Sequence, residues 1–190
     1  LKNAAHYSKP SGQNGYVYGF NISKDDQYLV TQGDNGILTV WNNNDGSIVK
    51  QFPTFGGIMN AAAISPDNNY VVGCNWEGRI KVWELFTGKK AIEFAGINAG
   101  VVGCTFSPDG KQVAVAAYDS TITIWDLASG ARLQQLKHSG QMYHVTYSPN
   151  GKYIVGSSTN GDVTIWLNDS FTKLHEVKTS NGAIYQCAFG

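Results

Sequence analysis

Side chains able to carry out acid–base, nucleophilic or metal chemistry are few in this chain: four histidines (His6, His138, His144, His175), three cysteines (Cys74, Cys104, Cys187) and fourteen acidic residues. A hydrolase needs Ser, His and a carboxylate in a workable order, and a metal enzyme needs ligands at recognisable spacings. Neither pattern stands out: the histidines fall at unrelated positions, no carboxylates pair, and no CxxC occurs. Asp34-Asn35-Gly36 suggests a calcium loop, yet Asp, Asn and Gly are what a tight turn requires sterically. His144 reads as a packed or solvated side chain rather than a base. The expectation is a non-enzymatic chain with no catalytic residue, cofactor or metal. Rings are plentiful, with ten Tyr, five Trp and eight Phe. Such side chains recognise partners rather than transform them.

Four of the tryptophans impose a register. Trp41, Trp83, Trp125 and Trp166 recur 42, 42 and 41 residues apart, and Ser23, Ser65, Ser107 and Ser148 each precede one of them by eighteen. A period of that length denotes one supersecondary unit copied along the chain. In the third copy Val101 to Phe106 is a short apolar run ending in the punctuating turn Ser107-Pro108-Asp109-Gly110. Gln112 to Ala117 then forms a second strand, Asp119-Ser120 a turn, Thr121 to Trp125 a third strand and Arg132 to Leu136 a fourth. Alternation sends Ile122 and Ile124 to one face and Thr121, Thr123 and Trp125 to the other. The other copies keep aliphatics one and three residues before the tryptophan, as in Leu38-Thr39-Val40-Trp41, Ile80-Lys81-Val82-Trp83 and Val163-Thr164-Ile165-Trp166. A four-stranded sheet apolar on both faces cannot bury itself and must stack on its neighbours. Radial repetition follows, and the expected fold is an all-β β-propeller of four-stranded antiparallel blades.

The same residues resemble the WD-repeat β-propellers over nearly the whole chain. Trp125-Asp126 matches the signature dipeptide, while Ser65-Pro66-Asp67, Ser107-Pro108-Asp109-Gly110 and Ser148-Pro149-Asn150-Gly151 resemble the family's first turn. The repeats are divergent, the dipeptide decaying to Trp41-Asn42, Trp83-Glu84 and Trp166-Leu167. The resemblance implies a structural tetrad of His, Ser, Asp and Trp, which this chain holds incompletely. The histidine slot carries Gln13, Phe55, Ile97, His138 and Ser180, and the aspartate slot Asn35, Glu77, Asp119 and Asn160. The tetrad-like residues are therefore Trp41, Trp83, Asp119, Trp125, His138, Asn160 and Trp166. The fourth copy comes nearest to a full set, with His138, Ser157 or Ser158, Asn160 and Trp166.

Whole blades are expected over approximately 16–52, 58–94, 101–136 and 142–177, a first strand of a further blade over 183–189, and a possible last strand of a preceding blade over 1–10. Joining the two ends leaves a blade without its second and third strands, so a longer propeller, of about seven blades by the resemblance, is the expectation. Cys104 and Cys187 share a slot with Phe20, Ala62 and Val145 that reads as core.

Zero formal net charge and only 15 % charged residues argue against a nucleic-acid or anionic-membrane surface. No apolar stretch is long enough for a membrane span, and sparse cysteines suit an intracellular, cytoplasmic compartment. Function is sought where the copies differ. Three variable slots fall on one rim: before the second-to-third turn, and five and seven residues ahead of each Ser. They yield the candidate partner-binding set Tyr16, Tyr18, Asp34, Asn60, Trp76, Tyr118, Gln141, Tyr143 and Tyr185, a face that WD-repeat proteins use for partners. The function expected is a scaffold for a protein or peptide partner within a multi-protein complex. Two alternatives stay open: an architectural subunit contacting neighbours through its blade sides, and a propeller attached to an enzyme of the lactonase or peptidase kind.

Overall fold

The computed structural model describes residues 16–53, 57–179 and 182–189. Every regular element among them is a strand. The first sheet holds β1 (Val17–Ile22), β2 (Tyr28–Gly33), β3 (Ile37–Asn42) and β4 (Ile48–Pro53). The second holds β5 (Met59–Ile64), β6 (Tyr70–Asn75), β7 (Ile80–Glu84) and β8 (Lys90–Phe94). The third is β9 (Val101–Phe106), β10 (Gln112–Ala117), β11 (Thr121–Asp126) and β12 (Arg132–Lys137). The fourth is β13 (Met142–Tyr147), β14 (Tyr153–Ser158), β15 (Asp162–Leu167) and β16 (Lys173–Lys178). All four are antiparallel meanders with strands in sequence order, the architecture of propeller blades. No described helix is long and apolar enough to cross a membrane.

Three cores of one composition lie between successive sheets. The first joins Val30, Leu38, Val40 and Phe52 to Met59, Ile64, Val71 and Trp83 of the second sheet. The second joins Val72, Ile80, Val82 and Phe94 to Val101, Phe106, Val113 and Trp125. The third joins Ala116, Ile122, Ile124 and Leu136 to Met142, Tyr147, Ile154 and Trp166. Each tryptophan after the first thus packs on the fourth strand of the preceding sheet, with Phe52–Trp83 centroids 5.6 Å apart and Phe94–Trp125 stacked at 5.0 Å. Burying one such ring contributes about 2–3 kcal/mol. Opposite each tryptophan the ladder between third and fourth strands slips by one residue, a bulge that bends the outer strand around the indole.

The serine landmark has a local cause. Ser65 is 1 % exposed; its Oγ donates to Asp67 Oδ1 at 2.6 Å and accepts the Tyr70 N–H at 2.9 Å, while Asp67 Oδ1 also accepts the Asn69 N–H. Ser107 and Asp109, Ser23 and Asp25, and Ser148 and Asn150 repeat the arrangement. One buried hydroxyl thereby closes the first hairpin, which is why serine persists while its neighbours drift.

Slots that are equivalent in sequence differ in burial where a neighbouring sheet is wanting. Cys104 is 9 % exposed in the second core, whereas Phe20 in the same slot is 70 % exposed, because no described sheet covers that face of the first one. Val17 and Ile22 beside it are exposed for the same reason. Residues 183–189 carry no strand ladder. Ile184 N–H reaches the Ser158 carbonyl at 3.0 Å, but a first strand pairs with the second strand of its own sheet, and no described residue supplies one. Residues 1–10, and Gln13, Phe55 and Ser180 of the histidine slot, lie outside the described residues.

One turn departs from the others. Gly46, Gly88 and Gly130 end the third-to-fourth turns at φ 71°, 75° and 71°, and the fourth copy places Phe171 there at φ 56°. A bulky residue in the left-handed region costs about 1 kcal/mol or more. Its ring packs against the third core in return.

Two measurements follow from these turns. Phe171→Gly relieves the backbone while Phe171→Ala does not, and both lose the ring, so the glycine variant is expected to be the more stable by about 1 kcal/mol in urea unfolding. The carboxyl of Asp109 is the second case. Partial burial, which acts to raise its pKa, is outweighed by the Ser107 hydroxyl and the Lys111 N–H and charge, leaving it below the ordinary 3.8. A carboxyl depressed in the folded state contributes stability that is complete above about pH 4 and is lost as pH falls through the folded value. Asp109→Asn keeps the acceptor, as Asn150 does naturally, and should flatten the stability profile below pH 4; an unchanged profile contradicts this account.

Candidate functional site

The rim is built by backbone bonds that tie its variable slots together. Asp34 N–H donates to the Tyr16 carbonyl at 3.2 Å, Tyr118 N–H to Gly100 at 3.0 Å and Thr159 N–H to Gln141 at 2.9 Å. In the first, third and fourth sheets the turn after the second strand is thus bonded to the segment entering the first. The slot five residues before the serine has a further property. Val17 pairs with Gly33 and Gly19 with Gln32, leaving Tyr18 out of the ladder; Asn60, Val102 and Tyr143 are left out in the same way. Each is the extra residue of a β-bulge, a device that re-aims a side chain out of the pleat. Sequence alternation places this slot on a face; the bulge turns it away from both cores.

Four of the nine expected rim residues form a ladder of rings. Trp76 and Tyr118 meet edge to face with centroids 4.8 Å apart, as do Tyr118 and Tyr143 at 5.6 Å, while Tyr143 and Tyr185 are tilted to one another at 4.8 Å. Gly100 makes room for it, since a Cβ there would meet both the Trp76 and Tyr118 rings at 3.3 Å. The ends of the ladder are open, Trp76 being 53 % and Tyr185 70 % exposed, while Tyr118 and Tyr143 are half-buried between them. Burial first, and then the Tyr143 hydroxyl, raise the Tyr118 phenol above its ordinary range. The Tyr118 hydroxyl is therefore held neutral within the ladder.

The other five are placed differently. Asn60 turns across the sheet boundary, its Nδ2 donating to the Val101 carbonyl at 2.7 Å, and so joins the second sheet to the third. Tyr16 and Tyr18 are exposed on the first sheet, apart from the ladder. Asp34 is half-buried, with Oδ1 lacking a hydrogen-bond partner among the described residues. Gln141 is exposed and serves the rim through its carbonyl. The bulged strands surround a hollow of about 370 Å³ lined by Tyr18, Asn60, Tyr143, His144 and Tyr185. His144 Nδ1 lies 3.4 Å from Cys187 Sγ, and burial lowers its pKa, so the imidazole is neutral at pH 7. A larger groove, about 480 Å³, lies on the flank between the second and third sheets and is lined by Tyr70, Ile92 and Leu127.

The tetrad-like residues do not form tetrads. Trp41 Nε1 donates to Thr31 Oγ1 at 2.9 Å and Trp125 Nε1 to Thr123 Oγ1 at 3.0 Å, so threonine hydroxyls satisfy the indoles. Trp83 and Trp166 are buried beside their neighbours. Asp119 Oδ1 accepts the N–H and hydroxyl of Thr121 within its own turn. In the fourth copy Asn160 binds the Ser158 hydroxyl and reaches Ser139. The link from His138 through Ser157 is not made: His138 Nε2 and Ser157 Oγ are both buried without a hydrogen-bond partner among the described residues.

Instead, His138 faces carboxylates that spacing could not associate with it. His138, Asp162 and Glu176 come from the segment after β12, the start of β15 and the middle of β16, and their ligand atoms all lie within 4.8 Å of one another. The signal was the cross-strand register: Asp162 pairs with Lys178, which puts Glu176 on its diagonal. Ser139 Oγ is bonded toward the two carboxylates rather than to the imidazole.

The geometry of the sheets agrees with comparison to known families. The family model for the WD domain, G-beta repeat (WD40), matches residues 6–42, 46–84, 88–126 and 130–166, and the chain belongs to that family. From the second on, each matched repeat takes the fourth strand of one sheet and the first three of the next, ending at or just after the tryptophan. WD40 repeats generally serve as non-enzymatic scaffolds for protein–protein interaction. Comparison with curated proteins finds no match.

Trp76 is the exposed indole among tryptophans otherwise 3–5 % exposed. Acrylamide should quench one component of the fluorescence, and Trp76→Phe should remove that component without shifting the thermal midpoint. Retention of the quenchable component would place the exposed indole elsewhere.

Proposed function

We propose that this chain is an interaction scaffold that binds a protein or peptide partner on the aromatic rim, within an intracellular multi-protein complex. The observation that carries this reading is the ladder Trp76–Tyr118–Tyr143–Tyr185. Its rings are held by one another and by backbone bonds, so little side-chain entropy remains to be lost when a partner docks. Tyrosine and tryptophan with open faces and a polar tip are the side chains that dominate interface energetics. The rim's hydroxyls and amides supply hydrogen bonds around them.

A second reading, attachment through the blade sides, is favoured by the exposed Val17, Phe20 and Ile22 on the first sheet and by the flank groove at Ile92 and Leu127. The two readings separate in one binding experiment on a purified partner. Trp76→Ala with Tyr118→Ala should weaken rim binding by at least about 30-fold, the equivalent of one hot spot of about 2 kcal/mol. Ile92→Glu with Leu127→Glu should leave it unchanged. The reverse pattern, measured by titration calorimetry, selects attachment through the flank.

A further inference from the structure

The polar cluster on the fourth sheet is incomplete as it stands. The His138 side chain is 1 % exposed, yet its Nε2 has no hydrogen-bond partner among the described residues and lies 3.7 Å from Glu176 Oε1, beyond hydrogen-bond reach. The Asp162 residue is 7 % exposed, and its carboxylate is met by the Ser139 hydroxyl at 3.4 Å, a long bond. Glu176 gives one oxygen to Lys173, while Oε1 turns inward to Ser139 at 3.3 Å. Ser139 has a single proton for two carboxylates. Lys173 serves the outer oxygen of Glu176, so on the inner side two carboxylates and an imidazole nitrogen converge around one weak donor, the Ser139 hydroxyl, where buried polar atoms are normally satisfied.

We propose that His138, Asp162 and Glu176 form a binding site for a divalent transition-metal ion of the zinc type, with the Ser139 hydroxyl or a water completing the shell. One imidazole and two carboxylates make a mixed N/O set, which suits zinc and its neighbours better than calcium or magnesium, whose shells are all oxygen. In a tetrahedral site with bonds of about 2.1 Å, ligand atoms stand roughly 3.4 Å apart. The His138 to Glu176 distance of 3.7 Å is already close to that.

The other ring nitrogen completes the case. His138 Nδ1 lies 3.0 Å from the Gly140 N–H and 3.3 Å from the Gly140 carbonyl. Without an ion, the N–H bond to Nδ1 leaves the proton on Nε2, directed at Glu176. With an ion on Nε2 the proton moves to Nδ1, where the Gly140 carbonyl at 3.3 Å accepts it, the second-shell arrangement common to metal-bound histidines, and the Gly140 N–H must turn away from the ring. The ion would pin β16, exposed along its whole length, to β15 and to the segment that leads into Tyr143. The pairing belongs to the fourth sheet alone: the corresponding histidine slot of the third is Ile97.

Cobalt(II) titration of the full chain tests the site. One equivalent should bind with visible d–d absorption, be displaced by zinc, and raise the thermal midpoint by about 5 °C at saturating metal. Glu176→Gln, on an exposed strand where the fold is insensitive, should weaken binding at least tenfold, and His138→Gln should do the same. Ring ¹⁵N chemical shifts of His138 should move at Nε2 on adding zinc. Three results overturn the proposal: no saturable binding up to about 100 µM metal, unchanged affinity in Glu176→Gln, or a His138 ring protonated on both nitrogens whose spectrum zinc leaves unaltered. The last would assign the cluster to an imidazolium ion pair.

Discussion

A sheet of four short strands that is apolar on both faces has no stable existence alone, and everything else in this molecule follows from that constraint. Each sheet must be covered twice, and the repeated unit supplies both coverings: aliphatics such as Ile122 and Ile124 on one side, the tryptophan on the other. The indole is the piece that fits, reaching across to Phe52, Phe94 or Leu136 of the sheet before it. Its N–H needs a partner, and where the family's histidine and serine have gone, a threonine hydroxyl provides one at Trp41 and Trp125. Packing thus tolerates loss of the tetrad because it needs the ring's volume and one acceptor, not a particular network.

The constraint also frees the rim. Because stacking is specified by residues pointing into the cores, the bulged residue of each first strand can vary from Tyr18 to Asn60 to Val102 to Tyr143 at little cost to the fold. The bulge is what separates the two tasks. Without it, a residue in that slot would point into a core on one side or the other, and its identity would be fixed by packing.

Much of this was legible in the chain. The period, the serine turn and the aliphatic alternation are local properties, and local properties survive in sequence. The rim slots of Trp76 and Tyr118 were legible for the same reason, since a residue breaking an otherwise constant register is visible by counting. The bulges were not, because a register slip is a relation between two strands and leaves no mark on either. Nor was the exposure of Phe20, which occupies the slot that buries Cys104; burial there depends on whether another sheet stands alongside. Phe171 at a glycine slot could have been noticed by aligning the turns, since Gly46, Gly88 and Gly130 stand in register with it.

The fourth sheet shows how a repeat acquires something its siblings lack. His138 stands in the family's histidine slot, but the aspartate slot holds Asn160, which is occupied by Ser158 and Ser139. A buried imidazole deprived of its acidic partner must find another polar group or be lost to an apolar residue, as Ile97 illustrates in the copy before. Here two acids are at hand, one from the start of β15 and one from β16. Two carboxylates and an imidazole are more than a structural hydrogen bond requires and more than Ser139 can satisfy. Lys173 offsets one of the two carboxylate charges; the other remains beside a buried nitrogen, where a cation would stabilise it, and that excess, rather than any inherited motif, is what distinguishes this sheet.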